Sequence, residues 1–150
     1  APAPARAQVN LHSPALLPES MIDDVHTRLM LYKRIASAKS LADLRELQIE
    51  IIDRFGLLPP AAEHLFACAD LRLMAEQIGI QRIDLHDNGG YLAFTAKPTI
   101  DPMTVIQLIQ RNPKTYAMQG SDRLKITNKT EDGVQRAMFL RALLAQLGAC

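Results

Sequence analysis

Two cysteines, Cys68 and Cys150, are all that the 150 residues contain, and no paired spacing relates them. A disulfide framework is excluded, and such usage fits a reducing, cytoplasmic setting. No apolar run approaches the roughly 20 residues needed to span a bilayer, and the N-terminus has no charged-then-apolar leader pattern. The sequence therefore predicts a soluble chain. An excess of one charge is lacking too: 17 Lys and Arg stand against 16 Asp and Glu, a net charge of +1. That balance gives no bulk attraction to nucleic acid or to a membrane, so any charged partner has to be met by a local patch.

The marks of catalysis are missing as well. No Gly-rich loop ends in Lys and Ser or Thr, and Asp87-Asn88-Gly89-Gly90 falls between strand patterns rather than before a helix, so phosphate cradling has no support. His12, His26, His64 and His86 are dispersed over separate elements and read as surface histidines rather than metal ligands. There is no nucleophile elbow. The sequence assigns no catalytic residue, no cofactor and no metal site.

What is present is a 48% hydrophobic composition, enough for a real core, in a length that suits one domain. Ala1–Gln8, alternating Ala and Pro, reads as a linker or disordered tail, which leaves residues 9–150 as a single domain. The first residue is Ala rather than Met, which reads as a processed product or a fragment of a longer chain. Val9 and Leu11 alternate with polar residues as one short edge strand would. A helix is predicted over about Asp24–Lys39, with Val25, Leu29, Tyr32 and Ala36 on its packed face. Ser40 followed by Asp43 resembles a capping box and starts a second helix at Leu41, which Gly56 stops. At roughly 100° per residue, Leu41, Leu44, Leu47, Ile51, Ile52 and Phe55 form its apolar face. The two helices are expected to pair antiparallel. Pro60 opens a third helix, apolar almost all round, with only Glu63, Asp70, Arg72 and Glu76 left for solvent.

The pattern then changes to alternation. Ile83 and Leu85, a turn over residues 87–90, then Leu92 and Phe94 predict a hairpin, followed by a helix from Asp101-Pro102 carrying Val105, Ile106 and Ile109. Tyr116 and Met118 with Leu124 and Ile126 predict a second hairpin. Thr130 is the expected cap of a last helix with Val134, Ala137, Leu140, Leu144 and Leu147 inward. The fold class expected is α+β: N-terminal helices, then two β-hairpins each followed by a helix, in an antiparallel sheet with helices packed on it.

Two surface patterns compete for a functional reading. Arg123 and Lys125 share one strand face, with Lys114 and Lys129 nearby, and such a face suits either nucleic acid or plain solvent. Asp43, Glu46, Glu50, Asp53 and Arg54 form a charged stripe on the second helix, away from its apolar face, and suit either a docking partner or solvent.

A resemblance separates the two. The run LLPESMIDDVHTRLMLYKRIASAKS, then IIDRFGLLPPAAEHL, together with GGYLAF, the Asp101-Pro102 helix start and the Arg123-Leu124-Lys125 strand, resembles the C-terminal domain of the bacterial transcription-repair coupling factors. The likeness runs from about Val9 to Leu147 and is densest over Asp24–Leu65. It implies a parent that is an ATP-driven DNA translocase engaging RNA polymerase, DNA and UvrA, while this chain holds none of the motor motifs and is itself no enzyme. It further implies a regulatory role, in which the domain docks on a UvrB-like N-terminal module of the same parent and masks the surface that UvrA uses. The family's docking residues fall on Glu50, Asp53 and Arg54, each matching in type, while Asp43 and Glu46 join them by spacing alone. The alternative is a nucleic-acid-binding α+β module using the face of Arg123 and Lys125.

Overall fold

Signals at the helix ends set the order of elements in the computed structural model, which describes residues 6–150. Chain order is β1 (Gln8–Asn10), α1 (Val25–Ser37), α2 (Leu41–Phe55), α3 (Pro60–Ile78), β2 (Ile80–His86), β3 (Gly89–Phe94), α4 (Pro102–Arg111), β4 (Tyr116–Gln119), β5 (Arg123–Thr127) and α5 (Gly133–Gln146). Asp24, Ser40, Asp101 and Asp132 cap four of the helices, accepting from the amides of Thr27, Asp43, Met103 and Gln135. Each satisfies a donor that a helix start leaves unpaired. Asp43 accepts from the Lys39 amide at 3.2 Å, so the box closes one residue ahead of the cap. Thr130 is not the cap of α5: its hydroxyl lies buried and accepts from Arg136 Nε at 3.0 Å, and the carboxylate of Asp132 takes the capping role.

The sheet runs β1-β2-β3-β5-β4, antiparallel except for β1, which pairs parallel to β2. That one parallel pairing departs from the expected antiparallel sheet. The first turn narrows to Asp87-Asn88, because Gly89 and Gly90 are drawn into β3. A Cβ on Gly90 would stand 1.9 Å from the Asp84 carbonyl oxygen, so only glycine lets the strands close there. Ile83, Leu92 and Leu124 lie in one cross-strand row and are fully buried.

Helices cover one side of the sheet. Leu71, Met74 and Ile78 of α3, Leu108 of α4 and Leu140, Leu143 and Leu144 of α5 share a core with Ile80, Ile83, Leu85, Leu92, Leu124 and Ile126. A second core is helical: Leu31 and Ile35 of α1, Leu44, Leu47 and Ile51 of α2, and Ala62, Phe66, Ala69 and Leu73 of α3. Helix α3 is thus a wall of both, which explains a sequence apolar nearly all round. Residues 7 and 150 are both tied to it, the Ala7 amide donating to Glu76 Oε2 at 2.9 Å and the Cys150 amide to Gln77 Oε1 at 3.0 Å.

Several expectations change. Helix α1 packs through Leu31 and Ile35, leaving Val25 and Leu29 more than half exposed and Ala36 outside. Its sequence holds two overlapping stripes, and the choice falls to tertiary partners: Arg28 donates to the Ile22 carbonyl and Tyr32 accepts from the Leu17 amide. Phe55 is only half-buried, beneath the Arg54 guanidinium. Ile106 and Val134 are exposed, since Leu108 and Leu140 occupy the inward positions. Asp70, expected in solvent, is 2% exposed. Residues 1–5 of the expected tail lie outside the described residues, whereas Ala7 is buried and Gln8 already belongs to β1.

Candidate docking surface on the second helix

Helix α2 is fixed at its start by Ser40 and at its end by Gly56, whose φ of 96° is a conformation that suits glycine. Between these stops, recurrence at three and four residues places Asp43, Glu46, Glu50, Asp53 and Arg54 along the flank beside the buried arc of Leu44, Leu47 and Ile51. The structure gathers Asp43, Glu46 and Glu50 around a shallow hollow of about 380 Å³ that α1 completes with Arg34, Ser37 and Ala38. Asp53 and Arg54 continue the surface beyond it and are exposed.

Glu50 differs from its neighbours because it is held from within. Arg34 of α1 grips both of its carboxylate oxygens, with Nη2 at 2.9 Å from Oε1, and Arg54 Nη1 approaches to 3.6 Å. The hydrogen bond from Arg34, then the nearby guanidinium charges, hold the Glu50 carboxyl below its ordinary pKa. Glu46 and Asp53 are exposed and have no ion-pair partner among the described residues. Between them, three residues after Glu46 and four before Asp53, Ile49 is 60% exposed. Sequence reasoning passed over Ile49, though its angle on the helical wheel, about 160° from Ile51, signals it.

A second group, equally unforeseen, joins three helices. Arg45 of α2 and Arg141 of α5 both reach Asp70 Oδ2 of α3, at 2.6 and 2.9 Å, while Oδ1 has no hydrogen-bond partner. Both guanidiniums stay half-exposed, so this is a clamp with wet outer ends. Of the histidines, His64 corrects the surface reading: it is 6% exposed, and burial, then the charge of Arg136, lowers its pKa. It meets Cys68, one turn along, at 3.6 Å. Burial pushes the Cys68 thiol up to about 11. His12 Nε2 contacts Asp84 Oδ1 at 2.8 Å, and no three His, Cys, Asp or Glu gather as metal ligands among the described residues. Arg123 and Lys125 lie on the side of the sheet that the helices leave bare, with Arg123 stacked 4.1 Å over the Tyr91 ring. Among the described residues no helix is long and apolar enough to cross a membrane.

The family model described as the TRCF domain matches residues 11–105. The chain belongs to the TRCF domain family. It is 42% identical over 144 residues to the transcription-repair-coupling factor of Haemophilus influenzae, covering 96% of this chain and 13% of that protein. The transcription-repair-coupling factor of Escherichia coli is 39% identical over 142 residues, covering 95% of this chain and 12% of its own length. This TRCF domain therefore spans only a small part of its curated relatives. Its fold matches the crystal structure of a C-terminal domain of transcription-repair coupling factor, with a TM-score of 0.74 at 22% identity, over 95% of this chain and 94% of that one. The five stripe residues all fall inside the matched family segment, whereas Arg123 and Lys125 lie beyond it.

Proposed function

We propose that this TRCF domain is a non-catalytic regulatory unit, one domain that takes in Ala7 and Gln8 as well as residues 9–150, that docks through α2 onto a UvrB-like module of a longer parent chain and masks the surface used by UvrA. The parent, in this reading, is a cytoplasmic ATP-driven DNA translocase that engages RNA polymerase, DNA and UvrA, and the domain acts on it by contact alone. The observation that carries the reading is the outer face of α2, where Glu46 and Asp53 stand unpaired around an exposed Ile49. An apolar anchor ringed by charge is the composition of an interface centre with its rim.

Magnitudes favour a masked state even if the contact is weak. Losing one partner of a buried interfacial charge pair costs about 2 to 5 kcal/mol, and a tether within one chain supplies an effective concentration of about a millimolar. The test is charge reversal at Glu46 and Asp53 in the parent, with UvrA binding measured for both proteins under identical nucleotide and salt conditions. Glu50 is the poorer choice, since Glu50→Lys also breaks the Arg34 grip that joins α1 to α2. Higher UvrA affinity in the folded double variant is expected; unchanged affinity overturns the reading.

A further inference from the structure

The helices leave one side of the sheet bare, and strand register arranges what that side carries. Gln8, Arg82, Ala93, Arg123 and Gln119 form one row across all five strands, and Asn10, Asp84, Tyr91, Lys125 and Ala117 form the next. Register slips between Ile80 and Arg82, and this bulge leaves Gln81 and Arg82 both exposed. Ala93 is the short member of the first row. Its methyl group leaves a hollow of about 360 Å³ between the arginines of β2 and β5, rimmed further by Arg6, Gln8, Gln81 and Asp122.

The charges around this hollow are not answered from within. Arg82, Arg123 and Lys125 have no ion pair among the described residues, and of the nearby carboxylates Asp84 is engaged by His12 while Asp122 pairs with none of them. Arg6, at the edge, donates to the Ala36 carbonyl. Planar guanidiniums flanking a small floor, with two glutamine amides beside them, match the fork geometry that binds phosphate oxygens. One row away, the Arg123 and Tyr91 stack offers a flat platform for a planar base, and Lys125 offers the next positive charge. An open sheet suits unstacked bases better than a groove.

We propose that the bare face of the sheet binds single-stranded nucleic acid, with Arg82 and Arg123 straddling one backbone phosphate over Ala93, Lys125 meeting the next, and a base resting on the Arg123 and Tyr91 stack. This is independent of docking through α2. The test is fluorescence anisotropy of a labelled mixed-sequence DNA oligonucleotide, single-stranded or duplex, titrated with this chain over a salt series. Two neutralised phosphates predict a log–log salt slope of about −1.4 for the single strand, or about 7-fold weaker binding between about 50 and 200 mM salt. Arg82→Ser with Arg123→Ser lowers that slope to about −0.7, while Arg82→Lys with Arg123→Lys retains most of it, and melting curves confirm that both variants are folded. Absence of salt-dependent binding at low salt, full binding by the folded serine variant, or tighter binding of the duplex overturns the proposal. Displacement by polyglutamate as effective as by unlabelled oligonucleotide also overturns it, and assigns the face to an acidic protein.

Discussion

The core against the sheet and the core beneath α1 and α2 are built differently. The first draws buried residues from four strands and three helices, including the fully buried row Ile83, Leu92 and Leu124. The second holds no strand residue and joins three helices to the loop residues Leu17, Ile22 and Leu58, and α1 contributes to it only Leu31 and Ile35 as buried residues while Val25, Leu29 and Met30 stay exposed. Polar clasps reinforce the thinner layer: Arg34 to Glu50, Arg45 to Asp70, and Arg72 toward the carbonyls of Ile35 and Ala36. Few buried apolar contacts with several solvent-facing polar ones is the composition of a layer that opens at lower cost than the rest. The candidate docking surface lies on that layer.

The strongest way to break this contrast is to open a cavity in each core. Phe66→Ala, in the helical core, is expected to cost about 3 to 5 kcal/mol, and Leu124→Ala, in the sheet core, about 2 to 5. Hydrogen exchange separates their consequences. Phe66→Ala should strip protection from α1 and α2 while sheet amides keep theirs, whereas uniform loss would show the two cores to be one cooperative unit.

Next in size is the clamp between the layers. Breaking a fully buried ion pair costs about 3 to 5 kcal/mol, but Arg45 and Arg141 are half-exposed and can rehydrate, so Asp70→Ala should cost about 1 to 3 in chemical denaturation. A double-mutant cycle with Arg45→Ala would show how much of that passes through α2.

A pH series gives a smaller effect. The folded-state pKa of His64 lies below its ordinary value of 6.5, so the unfolded chain takes up the proton first. Its contribution is therefore present above that ordinary value and is lost as pH falls from there toward the lowered pKa. His64→Gln should flatten this part of the stability profile, and an unchanged slope would place the titration elsewhere. Thiol labelling at neutral pH should modify exposed Cys150 much faster than half-buried Cys68, whose thiol desolvation pushes up to about 11. Equal labelling rates in the native protein would contradict that shielding. The least effect on stability, within about 0.5 kcal/mol, is expected from Glu46→Lys with Asp53→Lys, and a large loss in a thermal melt would move those residues from the docking surface into the structure.

Legibility in the sequence followed the range of the forces involved. Ser40 and Gly56 bound α2 through contacts made within a few residues, so its ends could be read directly, as could both hairpins from their alternation. The packed face of α1 could not, because two stripes of similar apolarity compete and distant groups such as Leu17 decide between them. The burial of Asp70 was hidden for the same reason: its compensating charges come from two other helices. At the candidate site the charged stripe on α2 was visible as spacing, but the Arg34 grip that sets Glu50 apart from Glu46 and Asp53 depends on the roll of α1. The parallel pairing of β1 with β2 joins segments too far apart in sequence for alternation to announce it.

The amides of Ala7 and Cys150 bond to neighbouring side chains of α3. Both residues are pinned to consecutive positions of one helix, which brings them within reach of a short linker. A circular permutant that links the two ends by a short Gly-Ser segment and opens the chain at Leu57, which is 85% exposed, should keep the same fold.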